Sequence, residues 1–390
     1  MMTAEPVLAR INVMKPWLGD EEARALAEVV ASGWVAQGPK VKEFESRFAE
    51  YQGVRHAVAT SSCTTALHLA LVVAGIGPGD DVVVPSLSFI ATANAVTYVG
   101  ARPVFCDVDP ATGNVTAETL HAALTLDTRA VIVVDQGGVP LDLDPIRELC
   151  DRHEIMVIED AACAVGSMYK GRPVGAGADV AVWSFHPRKI LTTGEGGMLT
   201  TNRADWAARA RTLREHSMSV SAADRHGSLL APPEVYLEVG FNYRMTDLQA
   251  AVGIVQLGRL PEVLERRRSI AARYVAGLSR VPGLRLVSDP PYGTTNFQSF
   301  WVEVLPSFGT TRDGLMELLA DAGISARRGI MAAHRQPAYR WRNAGGSLLQ
   351  QTERLNDRTL ILPVYHELDD EGLDRIIGTI RGAAAGYARE

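Results

Sequence analysis

Ser184-Phe-His-Pro-Arg-Lys189-Ile-Leu-Thr-Thr-Gly-Glu-Gly-Gly197 joins two short apolar runs, Val180 to Phe185 and Gly197 to Thr201. Two strands connected through a polar, Gly-rich loop predict a hairpin-like excursion, here at the edge of a sheet. Toward the N-terminus, from about residue 40, short apolar runs alternate with helical patterns. Ala57 to Thr60, Asp81 to Pro85, Pro103 to Asp107, Ala130 to Val134 and Ile155 to Glu159 read as strands. Thr64 to Ala74, Ser88 to Val99, Ala117 to Leu124 and Pro145 to His153 read as helices. Such alternation predicts an α/β fold with a mostly parallel sheet flanked by helices.

Toward the C-terminus the pattern changes. Thr246 is a plausible N-cap for a helix over Asp247 to Leu257, and Pro261 opens a second helix to about Ser279. Strand-like Phe300 to Val304, a helix over Thr311 to Ala322 and a final helix from Asp369 complete a smaller α+β domain. The expected division is a large domain over residues 1–250, which takes in the N-terminal segment, and a small one over residues 251–390. Residues 217–238 are polar and irregular, as in an ordered surface loop near a site or interface.

Hydrophobic residues make up 47% of the 390 and charged residues 22%, ordinary for a well-cored globular chain. A formal net charge of -6 with no basic block argues against non-specific nucleic-acid binding. No apolar run approaches the roughly 20 residues that span a bilayer. Met1 to Trp17 lacks the apolar core of a signal peptide, so the cytoplasm is the expected location. Cys63, Cys106, Cys150 and Cys163 form no C-x-x-C pair and have no His at zinc spacing. They read as reduced thiols, and no metal site is expected.

Three stretches carry chemistry. In the first, Lys189 follows a buried strand, with Ser184 five residues before it and a Gly-rich turn after it. By itself a loop lysine is more often a solvated charge. The order of elements is the reverse of a P-loop, whose glycines precede the lysine. Schiff-base chemistry needs such an amine on a rigid element with a phosphate-binding hydroxyl nearby. In the second, Ile158-Glu-Asp160-Ala-Ala-Cys163, a carboxylate ends an apolar strand, where α/β sheets place their ligands. A buried carboxylate there can keep a ring nitrogen protonated. In the third, Thr60-Ser-Ser-Cys-Thr64-Thr65, hydroxyls cluster between a strand and a helix, as in a helix cap or a phosphate site.

Other candidates are weaker. Gly175-Ala-Gly177 neither follows a strand nor opens a helix, so it is no dinucleotide site. His186 reads as structural. Arg244, Arg328 and His334 are candidate contacts for a nucleotide diphosphate or a donor carboxylate, or else ordinary ion-pair residues. Trp34 and Tyr339 are candidates to flank a sugar or base.

Together these stretches resemble the DegT/DnrJ/StrS family of sugar aminotransferases, of pyridoxal-phosphate (PLP) fold type I, from Pro16 to about Leu373. The likeness includes Pro85-Ser-Leu-Ser-Phe89-Ile-Ala-Thr-Ala-Asn-Ala-Val, Gly100-Ala-Arg-Pro-Val-Phe-Cys-Asp-Val-Asp109 and Gly240-Phe-Asn242-Tyr-Arg244-Met-Thr-Asp-Leu-Gln-Ala-Ala251. The resemblance implies that Lys189 forms the Schiff base and then shuttles a proton, and that Asp160 holds the pyridinium. It implies that Phe89 stacks on the cofactor ring and that Ser184, Thr64 and Thr65 contact its phosphate. Asn242 is implied to reach the phosphate of the neighbouring subunit in a homodimer with shared sites. The implied reaction takes an amino group from L-glutamate (or glutamine) through pyridoxamine phosphate to a keto-sugar, a nucleotide-linked 4-keto- or 3-keto-6-deoxyhexose. Free keto-cyclitols are the alternative acceptors. A 3-dehydratase of the same family carries His in place of Lys189, and a non-catalytic regulatory relative is expected to lose Lys189 or Asp160. The sequence departs from the family pattern at four places. Cys163 stands where Gln or His is usual against the cofactor, and Cys63 and Ser217 stand where Gly is usual. Asp135-Gln136 stands where Val-His is frequent.

Overall fold

The computed structural model describes residues 9–220, 233–340 and 349–387. Its main sheet has seven strands in the order His56–Thr60, Gly197–Thr201, Val180–Ser184, Met156–Asp160, Thr128–Val134, Asp81–Pro85, Arg102–Cys106. The last five run parallel, and Gly197–Thr201 runs antiparallel to both its neighbours. Val82 to Val84 and Val131 to Val133 are unbroken apolar runs because both faces are covered. Alternate residues feed two separate cores. Val83, Val131, Val133, Val157 and Trp183 pack on one face, and Val82, Val84, Ile132, Ile158 and Val182 on the other.

The sheet is therefore the expected α/β layer, with two corrections of detail. The Lys189 hairpin is not at the edge, because His56–Thr60 pairs outside Gly197–Thr201 and takes the edge position. Pro261 does not open a new helix, since Asp247–Leu278 is one helix with Pro261 inside it. Proline removes one backbone donor there. The helix stays continuous because Leu257, Leu260, Val263, Ile270, Tyr274 and Leu278 bury one long face.

A second sheet, antiparallel, holds Leu284–Leu286, Phe300–Val304, Thr359–Leu362 and Arg327–Arg328 in that order. The expected boundary at 250/251 falls inside the long helix, which joins the two parts. The N-terminal segment packs on the C-terminal part rather than on the large one. Ile11 N–H donates to Gly323 O at 3.0 Å, Ser325 N–H to Ile11 O at 2.8 Å and Val364 N–H to Val13 O at 3.2 Å.

Of residues 217–238, the stretch 221–232 lies outside the described residues. The flanks meet through a Met218–Tyr236 bridge, and Val235, Tyr236, Leu237 and Val239 are exposed. Among the described residues no helix is long and apolar enough to cross a membrane. Among them also, no cluster of His, Cys, Asp and Glu can hold a metal, and the four cysteines are free.

Candidate active site

The loop that carries Lys189 is held at many points. Phe185 N–H donates to Gly196 O and Thr193 N–H to Phe185 O, each at 3.0 Å, and Lys189 N–H donates to His186 O at 2.8 Å. Gln298 grips the loop from the C-terminal part. Its Oε1 accepts Ile190 N–H at 2.9 Å and its Nε2 donates to Arg188 O at 2.7 Å. Gly197 lets the loop's return strand approach Ser62 so closely that a Cβ there meets Ser62 C at 2.4 Å. Only glycine fits. Lys189 Nζ then reaches Cys163 Sγ at 3.0 Å.

Asp160 ends the parallel strand Met156–Asp160 and is buried. Thr92 Oγ1 donates to its Oδ2 at 3.0 Å and Ala162 N–H to its Oδ1 at 3.3 Å. Burial pushes this carboxyl above its ordinary range, outweighing the help of Thr92, Lys189 and Ala162. Burial acts most strongly on Lys189 too and disfavours its charge, but Cys163, Cys63 and Asp160 together leave the amine above its ordinary value. The Cys63 thiol is pushed well up by burial.

Cys163 is fixed by Asn296, whose Nδ2 donates to Cys163 O at 2.8 Å and to Val165 O at 2.9 Å. Gly138, at φ +93°, makes room for this, because a Cβ there lies 1.9 Å from Asn296 Oδ1. On the other side, Ser62 caps the helix Cys63–Val73 and accepts Thr65 N–H at 3.1 Å. These elements enclose a cavity of about 400 Å³ lined by Ser62, Cys63, Thr64, Phe89, Asp160, Cys163, Ser184 and Lys189, among others. Phe89 stands 69% exposed in it, an unusual state for so large an apolar ring.

The expected residues thus divide. Lys189, Asp160, Cys163, Ser184, Thr64 and Phe89 meet in one cavity. Thr65 does not line it, since its hydroxyl donates to Ser62 O at 2.8 Å and accepts Ser62 N–H at 3.0 Å within the cap. Asn242 is exposed, outside its own chain's cavity, and bridges Glu215. It does not cap the helix Asp247–Leu278, which Thr246 caps. Arg244 is half-buried and also outside the cavity.

Arg328 points away and pairs with Asp313 at 3.2 Å. His334 is buried between Ser86 Oγ at 2.6 Å and Glu353 Oε1 at 3.1 Å, which makes it structural. Tyr339 is likewise buried and bonded to Asn94 at 2.7 Å, and Trp34 lies outside the cavity. Sequence reading missed Thr92, Arg188, Asn296, Gln298 and Arg327. Thr92 lies three residues past Phe89 in a quoted motif, and Arg188 precedes Lys189, so both were within reach. Arg327 carried no signal to separate it from Arg328, because adjacent strand residues point to opposite faces.

The donor set fits PLP. It offers a buried amine for a carbonyl, a buried carboxylate short of a full cationic partner, an exposed ring for an aromatic face, and a helix N-terminus with hydroxyls for phosphate.

Known proteins agree with that fit. The chain matches the DegT/DnrJ/EryC1/StrS aminotransferase family over residues 16–381. It is 42% identical over 377 residues to a GDP-perosamine synthase of Caulobacter vibrioides, covering 96% of this chain and 98% of that one. The aminotransferase TlmJ from Streptoalloteichus hindustanus superposes with a TM-score of 0.89 at 41% identity, covering 97% of this chain and all of TlmJ (100%). DesI, crystallised in the presence of its TDP-sugar product, superposes with a TM-score of 0.87 at 34% identity, covering 97% of this chain and 94% of DesI. The chain belongs to the DegT/DnrJ/EryC1/StrS aminotransferase family, of PLP fold type I, and is an aminotransferase with pyridoxal phosphate as its cofactor.

Proposed function

We propose that this aminotransferase moves an amino group from L-glutamate, or less often glutamine, to a keto group of a nucleotide-linked 6-deoxyhexose, at C4 or C3. The observation that carries the reading is one cavity holding both the Lys189 amine and the Asp160 carboxylate, with Arg188 and Arg327, which have no acidic partner among the described residues, in its lining. When bound, the cofactor supplies an electron sink for carbanion chemistry.

The chain supplies the rest. Asp160 would pair with the cofactor's protonated ring nitrogen, and Thr92 and Ala162 N–H hold its two oxygens in place. Phe89 would cover one face of the cofactor ring, and Ser184, Thr64 and the N-terminus of the helix Cys63–Val73 would hold its phosphate. Lys189 Nζ takes a proton from the donor's α-carbon and returns one to the acceptor carbon, work worth about 10²–10⁴-fold in rate. Arg188 and Arg327 line the cavity with no acidic partner among the described residues, and burial, followed by the charge of Arg188, lowers the Arg327 guanidinium from its ordinary value. Two such guanidinium groups suit a diphosphate. The nucleotide-linked products named for the GDP-perosamine synthase and for DesI support the same acceptor class.

The protein works as a homodimer with shared sites. The exposure of Asn242 and of the apolar residues Val235, Tyr236, Leu237 and Val239 that precede it in the chain supports this reading. Its free cysteines suit the cytoplasm.

The test is to load the protein with pyridoxamine phosphate and offer GDP- and TDP-linked keto-sugars, free keto-sugars and keto-cyclitols. Oxidation of the cofactor by the nucleotide forms is the expected result. Equal specificity constants for free and nucleotide-linked sugars, or a response to cyclitols alone, overturn the reading.

A further inference from the structure

The Lys189 amine has one hydrogen-bond partner among the described residues, and it is a thiol. Nζ lies 3.0 Å from Cys163 Sγ across the cavity wall. The two residues sit on different loops, yet one short segment fixes both. Asn296 is 1% exposed and binds Cys163 O, and its Oδ1 accepts Gln298 N–H at 2.7 Å. Gln298 in turn binds the backbone on both sides of Lys189, at Arg188 O and Ile190 N–H. Neither partner can drift without breaking these part-buried and exposed hydrogen bonds together.

We propose that Cys163 is a positioning residue for Lys189: its sulfur accepts the free ε-amine's hydrogen bond and sets where Nζ points. Among residue types that fill such a place, an amide accepts a hydrogen bond but cannot become an anion, whereas a thiol can. The charges around Nζ are consistent with this. Burial opposes the ammonium most strongly, Cys163 leads the groups that favour it, and Cys63 and Asp160 follow. His186, Arg188, Arg327 and Glu195 line the same cavity.

A carbonyl is attacked only by an uncharged amine. Cys163 therefore keeps more of the free lysine as ammonium, a weaker acid and a slower nucleophile, which must lose its proton before it can take one from the donor's α-carbon. That consequence depends on Lys189 being the Schiff-base residue, but the contact and its test do not.

The test uses the full-length protein freed of cofactor and trace acetic anhydride, which acetylates neutral amines with loss of acetate. Acetylation of the Lys189 peptide is followed by mass spectrometry across pH, with Lys15 and Lys170 as internal references. Cys163→Ala and Cys163→Gln are each expected to lower the Lys189 midpoint by about one pH unit or more, the size of effect expected when a nearby opposite charge is removed. The reference lysines should not move. A midpoint that is unchanged or higher in both variants overturns the proposal. Should either variant fold poorly, blocking Cys163 reversibly with a methylthio group in a Cys63→Ser background must produce the same fall. The functional reading fails separately, if borohydride reduction of the cofactor-loaded protein leaves Lys189 unmodified.

Discussion

Thr92 donates its hydroxyl to Asp160 Oδ2 at 3.0 Å, so the carboxylate that ends one strand is steered by a helix that follows another. A hydrogen bond to a charged group is worth about 1.5–3 kcal/mol. Thr92→Val should therefore push the Asp160 carboxyl further up, in the direction burial already takes it. Transamination should fall roughly tenfold or more, and the loss should deepen as pH falls. Asp160→Asn should still bind the cofactor and lose at least about 10²-fold in rate at every pH. A pH-rate profile of each variant checks this, and a Thr92→Val profile parallel to wild type sinks the coupling.

Arg327 and Arg328 are neighbours with opposite fates. Arg327 lines the cavity, whereas Arg328 is held by Asp313 outside it. Arg327→Ala and Arg188→Ala should each raise KM for the nucleotide-linked acceptor by about 10–100-fold, one lost charge-assisted contact apiece. Arg328→Ala should leave KM within about twofold, as expected for an exposed ion pair. Steady-state kinetics with both substrates decide the matter. A rise confined to KM for glutamate reassigns the arginines to the donor carboxylates.

Beneath the site lies a buried pair of carboxyl groups. Asp135 Oδ1 accepts Leu141 N–H at 3.0 Å and Glu159 Oε1 accepts Gly175 N–H at 3.1 Å. Their other oxygens have no donor among the described residues, and a proton carried by one carboxyl would link the pair. Burial and mutual repulsion push Asp135 well up, and burial pushes Glu159 up to about 7. A carboxyl raised on folding stabilises most below its unfolded pKa, and that stability is lost as pH rises through the folded value. The window therefore runs from about pH 4.5 to about pH 7. Glu159→Gln keeps a proton donor toward Asp135 at all pH. Its Tm relative to wild type should rise between pH 5 and pH 8, and a constant difference in thermal melts refutes the shared proton.

Asn242 stands outside its own cavity, which makes subunit mixing informative. Lys189→Ala and Asn242→Ala homodimers should each be impaired. Refolded together, they should regain about a quarter of wild-type activity, because random mixing leaves one intact site in each mixed dimer. Mixed dimers that form without any recovery place the action of Asn242 within its own chain.

Most of the layer architecture was legible in the sequence. Strands such as Asp81–Pro85 and Gly197–Thr201 lie where their apolar runs predict, since a strand buried on both faces must be apolar throughout. Lys189 and Asp160 stood out because a charge at the end of an apolar strand needs a reason to be there. Thr64, Phe89, Cys163 and Ser184 followed from the resemblance of their motifs to the family. Local pattern misled at Pro261, where packing along a whole helix face outweighed the loss of one backbone donor. It also misled at Thr65, whose hydroxyl is held in its own helix cap.

What only the tertiary structure decided concerns residues far apart in the chain. Asn296 and Gln298 lie more than 100 residues beyond Cys163 and Lys189, yet they hold both. No sequence period connects them. The choice of Arg327 over Arg328 depends on which face of a strand turns to the cavity, and a one-residue change of register reverses it. The sequence by itself determined the chemistry these residues can perform, because side-chain type and strand-end position are local properties. The tertiary structure decided which of them share a cavity and how Lys189 is held against Cys163, because both depend on hydrogen bonds between residues far apart in the chain.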